Sequence, residues 1–136
     1  MNKTIPLFLV FFICSCGPQT VSEDQLVERY GLHYEFNSLT PFSGKVVERY
    51  ENGQLNTEKT FKDGKLDGLH VVHFEAGQLK LKETYKDGKR NGWHVTYFEN
   101  GQLRLRASFK NGELEGPYEA YDEEGGMVYK RELKNP

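Results

Sequence analysis

Glycine recurs in this chain with a period of 24 residues in three registers: positions 44, 68, 92 and 116; positions 53, 77, 101 and 125; and positions 64, 88 and 112. Around the second register a phrase repeats, as RYENGQL at Arg49–Leu55, HFEAGQL at His73–Leu79 and YFENGQL at Tyr97–Leu103. No insertion breaks the spacing anywhere. Self-similarity at a fixed period of this length marks a one-dimensional array, in which each small unit covers its apolar surface against its neighbours rather than around one central core.

The residues beside the glycines define the unit. Asn52-Gly53 and Asn100-Gly101 are dipeptides that tolerate positive φ, and Asp63-Gly64, Asp87-Gly88 and Asn111-Gly112 form a second set eleven residues further on. Each repeat therefore reads as two strands and two turns. The intervening segments, WHVTYF from Trp93 and LRLRASF from Leu103, have strand length, are rich in β-branched and aromatic residues, and lack proline. The expectation is an all-β fold, an elongated and twisted antiparallel β-meander. With 136 residues, 37% of them apolar, the chain holds material for one domain and does not have a disordered composition.

Treating Asn100-Gly101 as a two-residue loop sets Phe98 opposite Leu103, Tyr97 opposite Arg104, Thr96 opposite Leu105 and Val95 opposite Arg106. Opposed residues share a side of the sheet. One face is then an expected core of Tyr50, Phe74 and Phe98 beside Leu55, Leu79 and Leu103, continued by Leu81, Leu105, Phe61, Tyr85 and Phe109. The other carries Arg49, His73, Tyr97 and Tyr121, with Val47, Val71, Val95 and Trp93, facing Lys80, Lys82, Arg104 and Arg106. A single sheet with one apolar face must cover it by curling, by accepting the N-terminal segment, or with another chain, so a protein partner or a homodimer is expected.

The pattern G-x-W-x-x-Y-F-E-N-G-Q-L at Gly92–Leu103, followed by F-K-N-G-E-L-E-G at Phe109–Gly116, resembles the MORN repeat in its bacterial variant. The resemblance divides the chain into four MORN-type repeats at 44–67, 68–91, 92–115 and 116–136, preceded by a partial β unit at 26–43. Repeat two departs from the pattern with Ala76 in place of Asn, and repeat four with Asp122 in place of the aromatic and Glu124-Gly125-Gly126 in place of Asn-Gly-Gln. The family implies an open, curved meander used as a scaffold, often dimeric and linked to membrane-proximal sites.

Before the array, Lys3 and the apolar run Ile5–Ile13 read as an export signal, because that run is far shorter than the roughly 18 to 20 residues of a spanning helix. Ile13-Cys14-Ser15-Cys16 resembles the lipobox of bacterial lipoproteins. Residues 1–16 are thus expected to end at a lipidated Cys16, followed by a flexible tether at 17–25, with the protein anchored through its lipid in the cell envelope. Gly17 lacks the aspartate that retains some bacterial lipoproteins at the inner membrane, which favours the outer one. Losing Lys3 would move the formal net charge from −2 to −3, which gives no reason to expect nucleic acid.

Few residues suggest catalysis. The histidines are His33, His70, His73 and His94; His70 and His94 hold the same repeat position roughly 10 Å apart, which suits filled strand positions better than a metal site, and no metal or other cofactor is expected. Glu51, Glu75, Glu99 and Glu123 form one ladder and Lys62, Lys86, Lys110 and Lys134 another, both expected as solvated rims. No nucleophile elbow or phosphate loop is present. The candidate binding face is Trp93, Tyr97, Arg104 and Arg106 with His73, Lys80 and Lys82, since aromatics and arginine favour binding hot spots. The expected function is a non-catalytic, envelope-anchored scaffold for a protein partner. An antitoxin or immunity protein is the alternative, and a glycan- or lipid-binding module a more distant one.

Overall fold

The computed structural model describes residues 17–132. The expected lipidation site Cys16 and the ladder residue Lys134 lie outside them.

Ten strands form one sheet, in the order β1 (Thr20–Val21), β4 (Gly44–Arg49), β5 (Leu55–Lys62), β6 (Lys65–His73), β7 (Leu79–Lys86), β9 (Gly92–Tyr97), β10 (Leu103–Lys110), β11 (Glu113–Tyr121) and β12 (Met127–Glu132), with the two-residue β8 (Lys89–Arg90) paired to β7. From β4 onward every pairing is antiparallel, and apart from β7 with β9, which flank the short β8, each joins neighbours in sequence, the meander the repeats imply. A separate hairpin of β2 (Leu26–Arg29) and β3 (Leu32–Glu35) precedes it.

The two turn sets differ in geometry. In the second, Asp63, Asp87 and Asn111 all have positive φ, as does the glycine after each, the conformation of a tight two-residue hairpin turn. In the first, only the glycine is left-handed, at φ 85° for Gly101. Gly101 N–H donates to the Phe98 carbonyl at 3.0 Å and Phe98 N–H to the Gln102 carbonyl at 2.9 Å, so the loop is the three-residue Glu99-Asn100-Gly101 closed by a bulge. Asn100 Oδ1 accepts from Gln102 N–H at 2.9 Å, and its Nδ2 reaches across to the Glu123 carbonyl of the next repeat at 2.9 Å.

The extra residue corrects the expected register. Leu103 pairs with Tyr97, not Phe98; the ladder then skips Arg104, and Thr96/Leu105 and Val95/Arg106 pair as expected. The same slip sets Leu79 against His73 and Leu55 against Arg49. Arg104 is released to the side of Phe98 and Lys80 to that of Phe74, where their cations lie 5.8 and 5.4 Å from the ring centroids.

The altered copies keep the same turn. Phe74 N–H donates to the Gln78 carbonyl at 2.8 Å despite Ala76, and Asp122 N–H to the Gly126 carbonyl at 2.9 Å. In repeat four the Asp122 side chain also accepts from Gly126 N–H at 2.6 Å, so the carboxylate ties down the turn where the other copies place an aromatic.

The tightest core sits at the start of the array. Val21, Phe42, Val46 and Phe61 are buried together, with Leu26 and Leu66 against them. Of the expected core face only Phe61 is fully buried; Tyr50, Phe74, Phe98 and the leucines are half-buried, because one sheet has no second layer over them. The N-terminal segment supplies that layer for repeat one. Val21, expected in a flexible tether, instead pairs in parallel with Val46, so any spacer ends before Thr20. The lead-in unit docks by the array's own rule: Gly64 N–H donates to the Phe42 carbonyl as Gly88 N–H does to Leu66 and Gly112 N–H to Arg90, at 2.7 to 2.8 Å.

Candidate functional site

The strand register separates the two faces. On one, Lys59 pairs with His70 and His70 with Glu83; on the other, Lys82 pairs with Val95, Val95 with Arg106 and Arg106 with Glu119. They are called below the Glu83 face and the Trp93 face.

On the Trp93 face, a groove of about 490 Å³ is lined by Lys82, Thr84, Trp93, Val95, Tyr97 and Arg106. Trp93 is 46% exposed, and the Arg106 guanidinium stands 5.1 Å from its ring centroid. That guanidinium is fixed from behind: Arg106 Nε and Nη2 donate to Glu119 Oε2 at 3.1 and 2.7 Å, and Tyr121 O–H donates to the same oxygen at 3.1 Å. Glu119 is buried, and the hydrogen bonds from Arg106 hold its carboxyl below the usual range. Side chains on strands, clamped by a buried partner, lose little freedom when they bind.

On the Glu83 face, a larger groove of about 720 Å³ lies between repeats two and three, walled by Phe74 with Lys80 and Phe98 with Arg104, over Leu81, His94 and Thr96. Tyr97, Asn100, Glu99 and Glu123 complete its rim. Beside its floor, reached through His94, is a polar cluster. Glu83, 2% exposed, accepts from His70 Nδ1 at 2.9 Å, His94 Nδ1 at 2.7 Å, Tyr85 O–H at 3.0 Å and Arg90 Nε at 2.8 Å. Burial is the largest single influence on this carboxyl and pushes its pKa up. The combined hydrogen bonds from His70, His94 and Tyr85, with the charge of Arg90, overcome it and hold the group well below the carboxylate range. Burial, and then the hydrogen bond to Glu83, raise the pKa of Tyr85; burial lowers that of Arg90, but the neighbouring Glu83 carboxylate outweighs it and leaves it raised. The cluster is saturated internally, which suits a structural hub; among the described residues no three His, Cys, Asp or Glu side chains are placed to hold a metal ion.

The expected binding face is thus split. Trp93, Tyr97, Arg106 and Lys82 come together, whereas Lys80 and Arg104 belong to the opposite groove, which Tyr97 touches at its rim. Arg104, expected opposite Tyr97, lies instead over Phe98. His73 lines neither groove: its carbonyl accepts from Tyr50 O–H at 2.7 Å and its Nδ1 is buried without a partner. The glutamates of the rim ladder are exposed, as are Lys62, Lys86 and Lys110. Sequence reasoning passed over Glu83 and Glu119. The signal for the first was present, because His70 and His94 flank one strand from two sides and Glu83 is the residue between them in register.

The sequence profile of the MORN repeat variant matches residues 43–63, 66–87 and 90–111. This is a MORN-repeat protein. The profile stops before β11, yet the fourth MORN copy keeps the turn hydrogen bonds of the other three. Comparison with curated proteins and with solved structures returned no match. A repeat-based binding scaffold is what MORN repeats of this geometry suggest: an open sheet whose two faces both carry grooves between or beside strands.

Proposed function

We propose that the protein is a non-catalytic, envelope-anchored lipoprotein whose MORN array binds a protein partner through the Trp93 face. The observation that carries this reading is the exposed Trp93 beside an Arg106 held in place by buried Glu119. Tryptophan, tyrosine and arginine concentrate interface energy when they are preorganised on a rigid support, and Trp93, Tyr97 and Arg106 share this groove. The lipobox-like Ile13-Cys14-Ser15-Cys16 supports anchoring at Cys16, so the sheet would be presented at a membrane surface.

The test is crosslinked affinity purification of the full-length protein from its own cells beside the Trp93→Ala/Lys82→Glu variant, with mass spectrometry of what co-elutes. A protein enriched with the wild type and lost from the variant is expected, and its identity separates an immunity role from envelope assembly. Equal recovery of every partner by both proteins removes this face from the proposal. In the same cells Cys16→Ala should move the protein from the membrane to the soluble fraction, and a variant that still sediments with membranes would rule out the lipid anchor.

A further inference from the structure

The groove on the Glu83 face has a chemistry of its own. Lys80 and Arg104 lie over Phe74 and Phe98, with the cations 5.4 and 5.8 Å from the ring centroids. Both side chains are exposed, and among the described residues neither forms an ion pair within 4.0 Å. The arrangement occurs only in the middle of the array: the equivalent positions carry Asn56 in repeat one and Val128 in repeat four. Between the two cation-capped rings the floor is Leu81, Thr96 and His94. His94 spends Nδ1 on Glu83 at 2.7 Å, which fixes the imidazole and leaves Nε2 as the free nitrogen of its ring.

Lys80 is on β7 and Arg104 on β10, with β9 between them, so two strand spacings set them roughly 10 Å apart. A polyproline-type extended chain rises about 3.1 Å per residue with three residues per turn, so its side chains at i and i+3 project from one side about 9 Å apart. Aromatic-walled grooves accept this conformation because it is preformed and loses little entropy on docking. We infer that the groove between repeats two and three docks an extended acidic segment of a protein partner, with carboxylates three residues apart on Lys80 and Arg104 and apolar residues between them on Leu81 and the phenylalanine rings. Glu99 and Glu123 stand at the same rim and repel an undifferentiated polyanion, which favours a segment with two placed carboxylates over an acidic polysaccharide. The inference deepens the protein-binding reading, but it rests on the opposite face of the sheet from Trp93 and stands or falls by different residues.

The test uses the full chain in detergent micelles and two fluorescein-labelled synthetic peptides of one composition, Gly-Asp-Pro-Leu-Asp-Gly and Gly-Pro-Asp-Asp-Leu-Gly, read by fluorescence anisotropy. The first should bind at least tenfold more tightly than the second, weaken as salt is raised, and lose its advantage in the Lys80→Gln/Arg104→Gln variant. Trp93→Ala should leave it unchanged. Both substituted cations are exposed, so the variant is expected to keep its circular dichroism spectrum, and the comparison of two peptides on the wild type needs no variant. Equal binding of the two peptides, no binding of either at millimolar concentration, or tighter capture of polygalacturonate than of the first peptide would each overturn the inference. If only the Trp93 variant loses its cellular partner while the peptides fail, the protein-binding function survives and this groove is not its site.

Discussion

His94 Nδ1 donates to Glu83 Oε2 at 2.7 Å from β9, while His70 Nδ1 donates to the other oxygen at 2.9 Å from β6, so one carboxylate on β7 bridges repeats two and three from the inside. The equivalent residues are Lys59, which binds Glu23 at 2.7 Å, and Ala107, which is buried and apolar. One repeat position thus serves as a surface ion pair, a buried hub and a packed methyl in three successive copies.

Because four donors converge on buried Glu83, deleting its carboxylate leaves half-buried polar groups without that partner. Glu83→Ala is expected to cost about 3 kcal/mol in urea unfolding, within the range for breaking a buried ion pair by removing one member. A loss below about 1 kcal/mol would show that water replaces the carboxylate freely.

The pH dependence follows from the direction of the Glu83 shift. Its folded pKa lies below the ordinary value of 4.5, so the stability it contributes is complete above about pH 5 and is lost as pH falls through the folded pKa. The urea midpoint should therefore fall from pH 5 downward, with a shallower decline in Glu83→Gln. Glu119 and Asp67 are shifted in the same direction and will keep part of the slope in that variant. Parallel acid limbs in wild type and Glu83→Gln would contradict this account.

The glycine registers should differ in tolerance. Gly101, at φ 85°, would place a Cβ in open space, so Gly101→Ala carries only backbone strain of about 1 kcal/mol. Gly92, at φ 118°, would drive its Cβ into Thr84 Oγ1, which already donates to the Asn91 carbonyl at 2.7 Å. Thermal unfolding should show Gly92→Ala as clearly the worse of the two, and equal losses would mean that the strand yields around Thr84.

The position of the core makes a further contrast. Phe42 is 3% exposed and lies in the lead-in unit, outside the four repeats, with its ring 5.9 Å from that of Phe61. Phe42→Ala should cost about 3 to 4 kcal/mol, as for an aromatic removed from a packed core. Phe98→Ala, from a half-buried ring, should cost less, and the reverse order in chemical denaturation would place the core along the array instead.

Most of the architecture is legible in the sequence. Two of the three glycine registers mark the turns, the third lies within strands, and the β-branched and aromatic runs between the turns mark those strands. The two faces were legible only in part. Thr96/Leu105 and Val95/Arg106 pair as the alternation implies, but Leu103 and Arg104 do not, because Asn-Gly is compatible both with a two-residue turn and with the last two positions of a three-residue one. One residue of slip was enough to move Lys80 and Arg104 to the other face. Val21 was illegible for a different reason, since a parallel pairing with β4 leaves no local periodicity in a two-residue strand.

The sequence by itself determined the period and the strand-turn alternation, because these depend on the φ preferences of glycine, asparagine and aspartate and on side-chain patterns within a few residues. Only the tertiary structure decided which cations share a groove, that the N-terminal segment closes the first repeat, and that His70, His94, Tyr85 and Arg90 meet on Glu83. Those outcomes depend on bulges and on register across strands, where a shift of one residue reverses the side to which a residue points.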